Sequence, residues 1–213
     1  MKRNEFTPKA LAKLVRVGDR NDFPADFAIG LDALLEQASD RILSGEALNV
    51  PHQICGPDEK PWVVYQQYHV HLLFRALSRI VRRRFRVRPQ SRDVIVKGII
   101  ESLSEQSEMY ILRRDVASFY ESMPYAEVRS RLLFDTAMSR LVRHYLEQFF
   151  DKHCGPGGIG LPRGIGLTAT LAELIMERFD KRVRDIDGVY RYYRFADDVL
   201  VFSYSRSVHV SKA

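Results

Sequence analysis

Apolar residues recur at helical spacing through the first third of the chain. Leu11, Leu14 and Val15 share one face of a segment that opens with Thr7-Pro8, which predicts a helix over 7–17. Ile29, Leu31, Leu34, Leu35, Ala38 and Ile42 predict a second over 27–43. Gly45, Pro51, Gly56, Pro57 and Pro61 punctuate 44–61, which reads as loop. A further helix is expected from about Val64 to Arg84, and another over 91–104 with Ser91 as its N-cap.

The pattern changes after residue 107. EMYILRRDV, from Glu108 to Val116, has the β-prone character of a short strand, with an aspartate near its end. Residues 125–153 read as helix, broken by Gly155-Pro156-Gly157-Gly158, and the segment 159–180 turns helical from about Leu167. Val189 to Ser203 reads as two aromatic and β-branched strands joined at Asp197-Asp198, a β-hairpin. Helices that precede a small set of strands predict the α+β class. The chain divides into a helical extension over 1–63, a helical region with an Arg-rich segment over 64–107, and a sheet-bearing region over 108–213.

Composition narrows the function classes. With 46% hydrophobic and 28% charged residues, wholesale disorder is excluded. No apolar run is long enough to span a bilayer, so no membrane partner is expected. The charged start has no apolar segment behind it, unlike a secretory signal. Cys55 and Cys154 are too few for a disulfide framework, and a reducing cytoplasm is the expected compartment. His52 near Cys55 and His153 beside Cys154 lack the paired spacing of a zinc site. A net charge of +6 favours polyanionic partners such as nucleic acid. The charge is concentrated in RIVRRRFRVRPQSR, with arginines at 79, 82, 83, 84, 86, 88 and 92.

Asp115 and the pair Asp197-Asp198 stand at the ends of apolar strands, where elements distant in sequence can meet. Converging carboxylates repel one another and lose hydration unless a cation joins them. Hard oxygen donors suit Mg²⁺, and two such ions can activate an attacking hydroxyl and stabilise a leaving oxygen. Each piece alone also fits ordinary turn or strand-end chemistry.

Together the segments resemble a known family. Asp115-Val116-Ala117-Ser118-Phe119-Tyr120-Glu121-Ser122-Met123 is similar to the first palm motif of reverse transcriptases. Leu161-Pro162-Arg163-Gly164-Ile165-Gly166-Leu167-Thr168-Ala169-Thr170-Leu171 resembles the second, and Phe195-Ala196-Asp197-Asp198 the third, in family order. The resemblance covers about residues 65–205 and implies a right-hand polymerase. Residues 64–107 would be fingers, and 108–213 a partial palm built on a ferredoxin-like antiparallel sheet packed on helices. It implies an RNA-directed DNA polymerase that adds deoxynucleotides to a primer 3′-hydroxyl or a protein primer, with two Mg²⁺ ions for which Mn²⁺ can substitute. Asp115 and Asp197 would be the principal ligands, with the Val116 carbonyl and with Asp198 as acidic neighbour. Phe119 and Tyr120 would border the nucleotide, Tyr120 as a gate against a 2′-hydroxyl. Expected partners are RNA and DNA template and primer, deoxynucleoside triphosphates, and either a second copy or a partner RNA or protein.

Two departures stand out. Arg163 occupies the family's glutamine position and cannot copy an amide's mixed donor and acceptor pattern, although beside Gly164 it can meet phosphate. This variant resembles bacterial abortive-infection and other phage-defence enzymes. The sequence given also stops fifteen residues after Asp198, before later palm strands or a helical thumb. An alternative reading is therefore a nucleic-acid-binding or assembly module derived from a polymerase, and a third is RNA-templated RNA synthesis, against which Tyr120 speaks. In the fingers, Arg84, Arg92 and Lys97 are the expected phosphate contacts.

Overall fold

A computed structural model describes residues 5–57, 60–105 and 108–204. The charged start at 1–4 and the closing segment from 205 lie outside the described residues. The arrangement is α+β: mostly helical up to residue 105, then a three-stranded sheet with helices against both faces.

The first helix, α1 (Pro8–Ala12), starts where Thr7 accepts a hydrogen bond from the Ala10 amide. It ends well short of the expected residue 17. The cause is Asp19, a buried carboxylate that accepts from the Arg16 amide and pulls the chain out of the helix. Asp19 also receives the Tyr68 hydroxyl and both Arg75 guanidinium nitrogens. Two short helices follow, α2 (Asp19–Asp22) and α3 (Pro24–Phe27), before α4 (Leu31–Leu43). Gly30, at φ 88°, separates the last two, so the helix expected over 27–43 begins at Leu31.

Strands β1 (Gln53–Cys55), inside the segment expected to be loop, and β2 (Trp62–Val64), just after it, form a small antiparallel ladder, and the helix expected from about Val64 begins at Tyr68. Helix α5 (Tyr68–Phe85) buries Leu72, Leu73, Ala76, Leu77 and Val81 and leaves its arginines on the other face. It packs against α4 and against α9 (Gly166–Arg184), at the centre of a core that runs from Phe6 to Met176. Helix α6 (Arg92–Leu103) is capped by the Ser91 side chain as expected.

The expected helix over 125–153 is two, α7 (Ala126–Leu133) and α8 (Arg140–His153). Asp135 accepts from the Ala137 amide, and Ser139 caps α8 through the Val142 amide. Local side-chain bonds of this kind compete with helix continuation.

Strands β3 (Tyr110–Asp115), β4 (Val189–Phe195) and β5 (Asp198–Ser203) form an antiparallel sheet in the order β3-β5-β4. One face, with Leu112, Val199, Val201 and Tyr192, packs on Val183 and Phe179 of α9. The other receives α6, where the Tyr193 hydroxyl donates to the Gly98 carbonyl at 2.8 Å. A side chain at Gly98 would meet the Tyr193 ring at 2.7 Å, which explains a glycine inside this helix. Among the described residues no helix is long and apolar enough to cross a membrane.

Candidate active site

The sheet brings the first and third motif segments together. Asp198 lies between Asp115 on β3 and Phe195 on β4 in the ladder. Directly opposite residues of an antiparallel pair share a face, so Asp115 and Asp198 emerge on the same side. One residue further, the Val116 amide donates to the Asp197 carbonyl at 3.1 Å. Val116 itself packs against both hydrophobic clusters of the protein. The acidic end of the sheet is thus anchored by one apolar side chain and one ladder.

The second segment joins the first through its backbone. The Leu161 amide donates to the Tyr120 carbonyl at 2.8 Å, and the Gly160 amide to the Met123 carbonyl at 2.9 Å. On its other side the turn lies on β2, where the Val63 amide donates to the Arg163 carbonyl at 2.9 Å. Gly164, at φ 86°, sits so close that an added Cβ would meet the Val63 carbonyl oxygen at 2.4 Å. Its role in the turn is therefore steric.

Among the described residues, three non-glycine residues have positive φ: Arg86, Ser118 and Ala196. Arg86 ends α5 in an ordinary left-handed cap. The other two lie in the first and third motif segments, at φ 49° and 51°. Backbone in sparsely populated regions persists where the surroundings over-determine it, and such residues cluster at active sites and switches.

A cleft opens beside this junction. Phe119 and Tyr120 form one wall, Ala169, Ala172 and Glu173 of α9 another, and Phe195 and Ala196 a third, with Arg82, Pro89, Gln90 and Arg194 completing it. Phe119 is buried with its ring edge-on to Tyr120, 5.1 Å between centroids. Burial pushes the Tyr120 phenol above its ordinary value; Arg163 opposes this, and Asp197 and Glu173 add to it.

Beneath the turn, Arg194 is the best-buried cation of the sheet, its side chain 5% exposed. It donates to Asp180 and Glu173 on α9 and to the Ala196 carbonyl. The Tyr192 hydroxyl, on the same side of β4, also donates to Asp180, at 2.6 Å. Sequence reasoning did not single out Arg194. Its signal was register: in a period-two strand it shares a face with apolar Tyr192, and an inward cation implies buried acids.

The expected phosphate contacts are dispersed. Arg84 donates to Asp135 through two nitrogens and lines a separate hollow with Phe85 and Phe134. Arg92 opens α6, and Lys97 is 80% exposed, 3.9 Å from Glu101. None of the three lines the cleft; the Arg-rich segment reaches it through Arg82, Pro89 and Gln90. Arg163 is engaged by Glu121 in a two-pronged pair, at 2.5 and 3.1 Å, with its guanidinium 5.2 Å from the Tyr120 ring centroid. That contact lowers the Glu121 carboxyl below its usual range.

Among the described residues, no group of three or more His, Cys, Asp or Glu side chains is arranged to hold a metal ion. What the acidic end of the sheet offers is Asp115, Asp197 and the backbone at Val116, while Asp198 is 3.0 Å from the Arg113 guanidinium. Two carboxylates with a carbonyl do not make a protein cage. Hard oxygen donors are the type that Mg²⁺ takes, alongside waters and substrate phosphate oxygens. Compared with known proteins, the chain matches no protein-family model and no curated protein.

Proposed function

We propose that this chain is a nucleotidyltransferase of reverse-transcriptase type, adding deoxynucleotides to a primer 3′-hydroxyl or a protein primer on a nucleic-acid template. One observation supports the reading: Phe119 and Tyr120 of the first motif segment, Ala169 of the second and Phe195 and Ala196 of the third, far apart in sequence, line one cleft beside Asp115 and Asp197. Asp115, Asp197 and the Val116 carbonyl would hold Mg²⁺, which when bound lowers the pKa of the attacking hydroxyl and offsets charge on the phosphates.

The chain's own residues have separable tasks. Tyr120 fills the cleft wall where a sugar would lie and excludes a 2′-hydroxyl. Arg82 presents a guanidinium to the phosphates from the fingers side. Glu173, Asp180 and Arg194 fix the turn that carries Asp197. Glu121 and Tyr120 hold Arg163 against the second motif, and the Leu-Pro-Arg-Gly variant keeps the reading nearest to phage-defence enzymes.

The test is incorporation of labelled deoxynucleotides on a primed RNA template with Mg²⁺. Asp115→Asn and Asp197→Asn should each lower it on the order of 10³-fold, the scale of losing several kcal/mol of charge stabilisation. Both variants should melt like the parent chain. Undiminished incorporation by Asp197→Asn would overturn the assignment. Nucleic-acid binding without any incorporation by the parent chain would favour a binding module instead.

A further inference from the structure

A second basic feature lies outside the cleft. The end of α1 and the turn after it face α5 across a groove lined by Lys13, Arg16, Arg79, Arg82 and Arg83, with Gly166 at its floor. Arg75 also borders it, but Asp19 neutralises that charge through a two-pronged pair. No acidic side chain among the described residues lines the groove. Among the described residues none of the other five cations is within ion-pair distance of a carboxylate. Their side-chain hydrogen bonds go to neutral oxygens: Arg79 donates to the Ala10 carbonyl at 3.3 Å and Arg82 to Thr170 Oγ1 at 3.0 Å.

Five uncompensated cations repel one another, a cost that a bound polyanion removes. The floor adds to the field. Helix α9 begins at Gly166 with no side-chain cap and no acidic residue in its first turn. The positive end of a 19-residue helix therefore opens here without a side-chain cap, although the Thr168 amide donates to the Ile165 carbonyl at 3.0 Å.

We infer that this groove holds the sugar-phosphate backbone of a single-stranded nucleic acid and leads it to the cleft. Two features favour a strand over a small anion. The cations come from two elements, and on α5 alone they extend over a full turn from Arg79 to Arg83, about 6 Å of rise. The groove also adjoins the cleft, because Arg82 lines both. There the strand meets the rings of Tyr120 and Phe195. A cationic track leading to aromatic faces is how proteins hold single strands without reading their sequence. The binding itself stands apart from the polymerase reading; only the strand's use as template in the cleft rests on it.

The experiment is fluorescence anisotropy of a labelled single-stranded RNA with the whole chain, in EDTA and without nucleotides, across a salt series. Lys13→Gln/Arg16→Gln should weaken binding about tenfold or more. It should also flatten the slope of log K against log salt by about 1.4, since each phosphate contact to a single strand contributes about 0.7. Both side chains are exposed, and Lys13→Glu/Arg16→Glu offers a stronger perturbation should the first effect be small. Arg140→Gln, outside the groove, should leave affinity within twofold. Equal losses for Arg140→Gln and the groove variants would reduce the effect to net charge and overturn the inference. Competition by inorganic triphosphate as effective as by an unlabelled strand would overturn it in favour of a small-anion pocket. Asp197→Asn should bind the strand like the parent chain. Lost incorporation with intact groove dependence, or the reverse, separates failure of one reading from failure of the other.

Discussion

Arg194 donates a hydrogen bond to the carbonyl oxygen of Ala196, 3.1 Å away, across the turn that carries Asp197. The same guanidinium grips Glu173 and Asp180 on α9, so the turn's position is set by a helix and not by the hairpin alone. Burial disfavours its charge, but the two carboxylates outweigh that and hold its pKa above the ordinary arginine value. Arg194→Ala leaves two poorly exposed acids facing one another. The expected loss is about 3–5 kcal/mol in a denaturation experiment, the range for breaking one side of a buried pair. Arg194→Lys keeps the charge but not the fork, and should fall between.

Tyr120 tests the sugar contact. With Tyr120→Ala, the proposed gate becomes open space, and ribonucleotide use relative to deoxynucleotide use should rise about tenfold or more in single-nucleotide incorporation. An unchanged ratio would return Tyr120 to a packing role beside Phe119.

Gly164→Ala sets a methyl group against the Val63 carbonyl and forces a left-handed conformation on a residue with a side chain. The expected cost is about 2 kcal/mol or more in thermal or chemical denaturation. The comparison is Gly157→Ala: its backbone also has positive φ, but its added Cβ meets nothing within 4 Å. Equal losses at the two positions would show that backbone conformation alone matters.

His153 links stability to pH. Burial, with smaller contributions from His52 and Lys152, lowers its pKa from 6.5 to about 4. Its neutral ring lies 2.8 Å from the Tyr65 hydroxyl. Because the folded value is below the unfolded one, the contribution is complete above pH 6.5 and is lost as pH falls through about 4. Melting temperature should therefore drop across that window, and His153→Gln should flatten the drop. An identical pH profile for the variant would remove His153 as the cause.

Much of this was legible because it is local. Ser91 announces α6, the run YILRRD ends in Asp115 as a strand, and the aromatic alternation of 189–203 gives the hairpin. Three-residue strands in a Pro- and Gly-rich segment carry too little period to be seen, and β1 and β2 were missed for that reason. The break between α7 and α8 did have a signal in Asp135 and Ser139, but apolar spacing on either side masked it. Partner choice was the least readable. Glu121 and Arg163 are 42 positions apart, as Arg84 and Asp135 are 51, and nothing local says which acid takes which arginine. The alternative, that these guanidiniums stay free for phosphate, differs only in tertiary geometry.

The ladder that aligns Asp115 with Asp198 also has a kinetic meaning. Arg113 and Asp198 are 85 positions apart, with three α-helices and β4 between their strands. Contacts of such separation form only after the intervening chain has closed, and they slow folding. The acidic end of the sheet is thus expected to form late in folding, whereas α5, with its row of arginines, draws on nearby sequence. A nascent chain would carry its basic surface before it carries its carboxylate pair.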